Sequence, residues 1–214
     1  MDERASGIIL RTRPLTETSL IVQWLTPDLG RVATVAKGAR RPKSSFRGKL
    51  DLFYEADFSF ARSRKSELHN LREVVLRDTH SRLRENLGWI QQASYFTALI
   101  EQTTETETPL PGVFQLAHTS LAELSKHTPA SRTVFAFEFK LLEELGLSPD
   151  VTDSSLSEGS RHLAQTLTRG NWDLIGRLKL SEVQTRELRQ FLHGFMIYHL
   201  ERIPAARTAA LNAA

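Results

Sequence analysis

The sequence predicts an α+β protein, with a small five-stranded β-barrel over residues 1–80 followed by an all-helical domain over 81–214. Three observations carry that expectation. The first 80 residues hold five short apolar runs punctuated by turn residues. Near residue 80 the apolar period changes from strand-like to helical. Positive charge is concentrated in the break between the third and fourth runs, where an irregular loop is expected.

Gly7–Arg13 is the first run and closes at Pro14. Ser19–Thr26 is apolar on both faces, as a central strand would be. Pro27-Asp28-Leu29-Gly30 is turn chemistry, so Arg31–Ala36 returns as a hairpin partner. Leu52–Phe60 alternates, with Leu52, Tyr54, Ala56, Phe58 and Phe60 on one face. Arg62–Ser66 is a polar turn, and Leu68–Leu76 makes the fifth strand. Helical spacing begins with Leu83, Leu87 and Ile90 and continues to Glu101. After a Thr/Glu loop over Thr103–Thr108, a second helix spans Pro111–Lys126. A third runs from Ser131, read as its N-cap, to Leu145, with Gly146 as the stop. Its Val134, Phe135, Phe137, Phe139, Leu141 and Leu142 leave little polar surface, so it is expected at the centre of a bundle. A short helix over Ser160–Thr168 and a last one from a Ser181 cap to Arg202 follow, and Thr208–Ala214 is expected to fray.

Composition excludes several classes. Of 214 residues, 40% are hydrophobic and 25% charged, an ordinary globular balance. There is no cysteine, which removes disulfides, thiol catalysis, iron–sulfur clusters and thiolate zinc sites. No run of about 18 apolar residues exists for a membrane span. The opening Met1-Asp2-Glu3-Arg4 is charged, with no apolar segment of signal-peptide length behind it, so a cytoplasmic protein is the expectation. Phosphate-loop, nucleophile-elbow and paired-histidine metal motifs are absent and the seven histidines are scattered. The chain is therefore expected to be neither an enzyme nor a holder of metal or other cofactor.

The charge is uneven. Residues 1–80 carry 15 Lys and Arg against 10 Asp and Glu; residues 81–214 carry 13 against 15. In Ala36–Lys49, six of 14 residues are basic and none is acidic. A loop of that composition suits a phosphate backbone. Lys37, Arg40, Arg41, Lys43, Arg47 and Lys49 are the candidate nucleic-acid contacts, with Arg13 and Arg64 as secondary ones. Phe46 sits among the charges and has two readings: a base-stacking ring, worth roughly 1–3 kcal/mol, or a plug in the barrel. A nucleic-acid-binding module that takes RNA, and an adaptor that uses the barrel only as scaffold, are the alternative functions.

The segment Gly7-Ile8-Ile9-Leu10-Arg11-Thr12-Arg13-Pro14-Leu15-Thr16-Glu17-Thr18-Ser19-Leu20 resembles the opening of the bacterial RecO recombination-mediator family. So do Gly30-Arg31-Val32 leading into Val35-Ala36-Lys37-Gly38-Ala39-Arg40-Arg41, and Phe46-Arg47-Gly48-Lys49-Leu50 before Phe53. Phe137-Glu138-Phe139-Lys140-Leu141-Leu142-Glu143-Glu144-Leu145-Gly146 is similar to the family's central helix, and Tyr198-His199-Leu200 fits its last one. The resemblance implies an N-terminal OB-fold and a helical C-terminal domain. It implies binding of single- and double-stranded DNA, strand annealing, and work with RecR, and in some members RecF, to load RecA onto DNA coated by single-stranded DNA-binding protein. Many members carry two Cys-x-x-Cys pairs as a zinc site after the central helix; this chain has none there. A groove in the helical domain for the acidic tail of single-stranded DNA-binding protein is also implied, and Arg132, Phe135, Phe139 and Lys140 are the residues expected to form it.

Overall fold

Strands β1 (Asp2–Pro14), β2 (Leu20–Thr26), β3 (Gly30–Ala36), β4 (Glu55–Ala61) and β5 (Leu68–Asp78) close into a barrel in the order β1-β2-β3-β5-β4. The computed structural model describes residues 2–152 and 154–213. Four of the five pairings are antiparallel; β3 and β5 pair in parallel, with Ala33 opposite Leu68 and Val35 opposite Asn70. This is the five-stranded Greek-key closure of an OB-fold, in which no long edge is left open.

Strand β1 is longer than its apolar run because it serves two neighbours. Asp2–Ile8 pairs with β4, and Ile8–Pro14 pairs with β2. A register shift between Ile9 and Arg11 marks the bend between the two duties. The polar Asp2–Ser6 stretch is thus a strand by pairing rather than by pattern. In β4 the opposite occurs: the alternation from Leu52 suggests an early start, but Phe53 takes a positive φ of 69° and the strand begins at Glu55. The β2–β3 turn needs φ of +68° at Gly30, where a side chain would also meet the backbone of Thr108.

Inside the barrel, fully buried Trp24 stacks on Phe58 at 4.1 Å and donates its Nε1 hydrogen to Thr34 Oγ1 at 2.9 Å. Phe58, Phe60 and His69 continue the stack. Ile9, Val22, Val32 and Val74 fill the remainder.

The chain divides into two compact units, and the division is not a single cut at residue 80. One unit is the chain up to Ser81 together with Thr103–His118; the other is Arg82–Gln102 together with Thr119 onward. The returning segment is tied to the barrel by specific bonds. Arg31 donates from Nε and Nη2 to the Thr104 carbonyl at 3.1 and 2.6 Å, and the Glu107 amide donates to the Arg31 carbonyl at 2.9 Å. The Glu107 carboxylate takes a bond from Arg62 and pairs with buried His69 at 2.9 Å. These partners hold the Glu107 carboxyl below its ordinary value, the His69 bond chiefly.

The helical unit is built on α1 (Leu87–Thr103), the end of α2 (Pro111–Leu124), α3 (Ser131–Glu144), α4 (Glu158–Arg169), α5 (Trp172–Arg177), α6 (Glu182–Leu200) and α7 (Ala206–Leu211). Helix α3 is central: Val134, Phe135, Ala136, Phe137 and Glu138 are fully buried. Its N-cap is Ala130, without a side-chain bond, rather than Ser131. Ser181 does cap α6, in a reciprocal box with Gln184. The end of the chain departs from the expected fraying. Helix α7 is formed, with Ala210 and Leu211 in the core, and Arg207 reaches inward to Glu138.

That contact is a buried network. Arg207 donates through Nε and Nη2 to Glu138 at 2.6 and 2.9 Å, and Tyr95 Oη donates to the same carboxylate at 2.6 Å. Burial pulls the Arg207 guanidinium pKa down, but the bonds and charge of Glu138 outweigh it and leave it raised. Replacing Arg207 with Ala strands a buried carboxylate, which should cost about 3–5 kcal/mol in urea unfolding. A cost below about 1 kcal/mol, the range of exposed pairs, would show that α7 is not integral to the unit.

Candidate nucleic-acid interface

The loop between β3 and β4 is a succession of tight turns. Amides of Ala39, Arg41, Ser44, Arg47 and Lys49 each donate to the carbonyl three residues earlier, those of Ala36, Gly38, Arg41, Ser44 and Phe46. Two further contacts fix it. The Arg40 amide donates to the Thr18 carbonyl at 3.0 Å, tying the loop to the β1–β2 turn. Phe46, 8% exposed, packs into the barrel core with Trp24, Phe58 and Phe60. The structure therefore corrects one candidate contact: Phe46 is the plug, because an apolar ring among cations gains more by filling the barrel mouth than by standing in water. Only its edge reaches the surface, where it floors the cleft between the cations.

The cations separate into groups. Lys37, Arg40, Arg41, Lys43 and Arg47 are exposed, and among the described residues none of them pairs with a carboxylate. They line or flank a shallow cleft of about 410 Å³ that is floored by Leu20, Phe46 and Leu50. Lys49 is half-buried and donates to the Val74 carbonyl of β5 at 3.1 Å, so its ammonium is engaged within the barrel. Arg13 is exposed at the end of β1, opposite Ile21 and next to the turn that bonds Arg40. Arg11 lies two residues before it, on the same strand face; the period-2 spacing was the signal that could have drawn it in.

Arg64 stands apart. Leu68 pairs with Ala33, so the β4–β5 turn that carries Arg64 lies toward the start of β3, whereas the basic loop leaves from its end. Its neighbour Arg62 is committed to Glu3 and Glu107.

The residues expected to form a tail groove do not form one. Phe135 and Phe139 are core side chains, and Phe139 faces the Phe191 ring at 6.5 Å. Lys140 donates to the Thr168 and Gly170 carbonyls at 2.7 and 2.8 Å. Arg132 is half-buried; its Nε is shielded without a hydrogen-bond partner, and burial lowers its pKa. The reason is the centrality of α3: its apolar faces are already covered. An open cleft of about 450 Å³ lies instead along α6 and α7, where Arg186, Arg189 and His193 surround Ile203, Pro204 and Leu211.

Among the described residues no helix is long and apolar enough to cross a membrane. Substituting Phe46 with Leu should destabilise the barrel by about 1–2 kcal/mol, since it only partly refills the plug; because Leu still seats the loop in the barrel mouth, single-stranded DNA affinity should be unchanged. An affinity loss of about 1–3 kcal/mol at unchanged stability would restore the stacking role.

Comparison with known proteins gives matches in both halves. Residues 1–80 match the family described as "Recombination protein O N terminal", and residues 90–158 match "Recombination protein O C terminal". The chain is similar to the "DNA repair protein RecO" of Exiguobacterium sibiricum, 25% identical over 95% of this chain and 82% of that protein. It is also similar to those of Bacillus pumilus, 30% identical over 69% of this chain and 57% of that protein, and Rhodopirellula baltica, 29% identical over 79% and 62%. For the latter two, the match spans less than two thirds of the relative's length.

Proposed function

From the premise that this chain belongs to the RecO family of DNA repair proteins, we propose that within a repair and recombination role it acts as a non-catalytic mediator. It binds single- and double-stranded DNA at the β3–β4 loop, anneals complementary strands and, with RecR and in some settings RecF, helps load RecA onto strands coated by single-stranded DNA-binding protein. The observation that carries this reading is the set of five exposed, carboxylate-free cations on a loop clamped between the barrel core and the β1–β2 turn.

The mechanism follows from charge. Two complementary strands repel through their phosphates. A surface that neutralises several phosphates releases counterions and lowers that repulsion. With Phe46 turned inward, the loop grips the backbone and leaves the bases free to pair. No covalent bond is made or broken, so annealing requires neither nucleotide hydrolysis nor a catalytic metal. For the acidic tail of single-stranded DNA-binding protein, the cleft of α6 and α7 has the matching chemistry: arginines for the carboxylates and an apolar floor for a terminal side chain.

Changing Arg40 and Arg41 together to Ala should weaken binding to all DNA sequences alike. It should also flatten the dependence of log affinity on log salt by about one unit per lost phosphate contact. An unchanged slope would take the loop out of the DNA site. Annealing by the wild type should proceed equally with and without ATP; a requirement for ATP would overturn the non-catalytic reading.

A further inference from the structure

Within the helical unit, Glu123 in the last turn of α2, His127 in the turn after it and Asp173 in the first turn of α5 bring one ligand atom each to within 4.8 Å of one another. Nothing in the mediator reading uses them. We propose that they form a site for a divalent transition-metal cation of the zinc class, tying the end of α2 to the start of α5.

Three observations support the site. The first is His127 itself. Its Nε2 is shielded from solvent and has no hydrogen-bond partner; Asp173 Oδ1 stands 3.8 Å away, beyond hydrogen-bond reach. A buried imidazole nitrogen without a partner is costly unless something binds it. Second, the residue is held in place. Its carbonyl accepts from Trp89 Nε1 at 2.9 Å, and its ring lies so close over Gly176 that a side chain there would meet it at 2.5 Å. Third, the Glu123 and His127 side of the cluster borders a void of about 10 Å³, room for one water or small ion, which Gln92 and Trp172 also line and Asp173 does not.

The donor set fits the class of ion. One imidazole and two carboxylates, with no thiolate, suit a first-row divalent cation better than calcium or magnesium, which favour oxygen alone. Bonds of about 2.0–2.1 Å place tetrahedral ligands roughly 3.4 Å apart, so the cluster must contract by about an ångström. Asp173 is mostly exposed and can supply that movement by rotation. Glu123 is paired with exposed Lys126 at 2.7 Å, and the cation would displace that ammonium. Because the ligands must be deprotonated to bind a cation, binding should weaken as pH falls.

The test uses the full chain, stripped with chelator and titrated with Zn²⁺ by calorimetry and with Co²⁺ by visible absorption. One equivalent should bind, a ligand-field band should appear with Co²⁺, and Zn²⁺ should raise the thermal midpoint. Asp173→Asn and His127→Gln, each shown by circular dichroism to be folded, should lose the stoichiometric binding and the midpoint shift. Asp173 is at the surface, so its variant keeps the test valid even if His127→Gln fails to fold. Absence of stoichiometric binding in the wild type, or unchanged binding in Asp173→Asn, overturns the proposal.

Discussion

A single apolar ring fixes the geometry on which the proposed nucleic-acid surface depends. Phe46 lies in a segment with no helix or strand to hold it, surrounded in sequence by six cations that repel one another. Placing the ring among Trp24, Phe58 and Phe60 supplies the burial that the segment otherwise lacks. Once the ring is seated, the tight turns on either side have few ways to close, and Lys37, Arg40, Arg41, Lys43 and Arg47 are left facing water. The same burial that closes the barrel mouth therefore orders the cations. Their mutual repulsion, a cost in the free protein, becomes a driving force when a polyanion arrives.

The barrel was legible in the sequence where pattern and pairing agree. The β2–β3 hairpin, with its Pro-Asp-Leu-Gly turn, and the Ala56, Phe58, Phe60 face follow from period and turn chemistry alone. Asp2–Ser6 was not legible, because its strand state comes from β4, more than 50 residues distant. Local pattern carries no trace of a partner that far away. The same holds for Thr103–Thr108, a polar loop whose attachment to the barrel rests on Arg31, Arg62 and His69 rather than on any apolar signal of its own.

For the helical unit the centrality of α3 was readable, and that reading was in tension with using its phenylalanines for a partner. A side chain cannot both fill a bundle centre and line an open groove; the structure resolves the tension in favour of packing, and Phe135 and Phe139 are core. Helix α7 was not legible because Ala-Ala-Arg-Thr-Ala-Ala-Leu is short and weakly apolar, and an isolated helix of that length is marginal in water. It forms because Arg207 finds Glu138. In sequence Glu138 is a polar position between two phenylalanines; only the packed structure shows that it is fully buried and needs a counter-charge.

In the proposed function DNA lies on the loop plugged by Phe46 and on the adjoining β1–β2 turn. Amide hydrogen exchange of the full chain, with and without an unstructured single-stranded oligonucleotide, tests it most directly. Slowed exchange on binding should centre on residues 37–50 and 15–19, with α6 and α7 unchanged. Protection that centres on the β4–β5 turn or on α6 and α7, with residues 37–50 unaffected, would contradict the account.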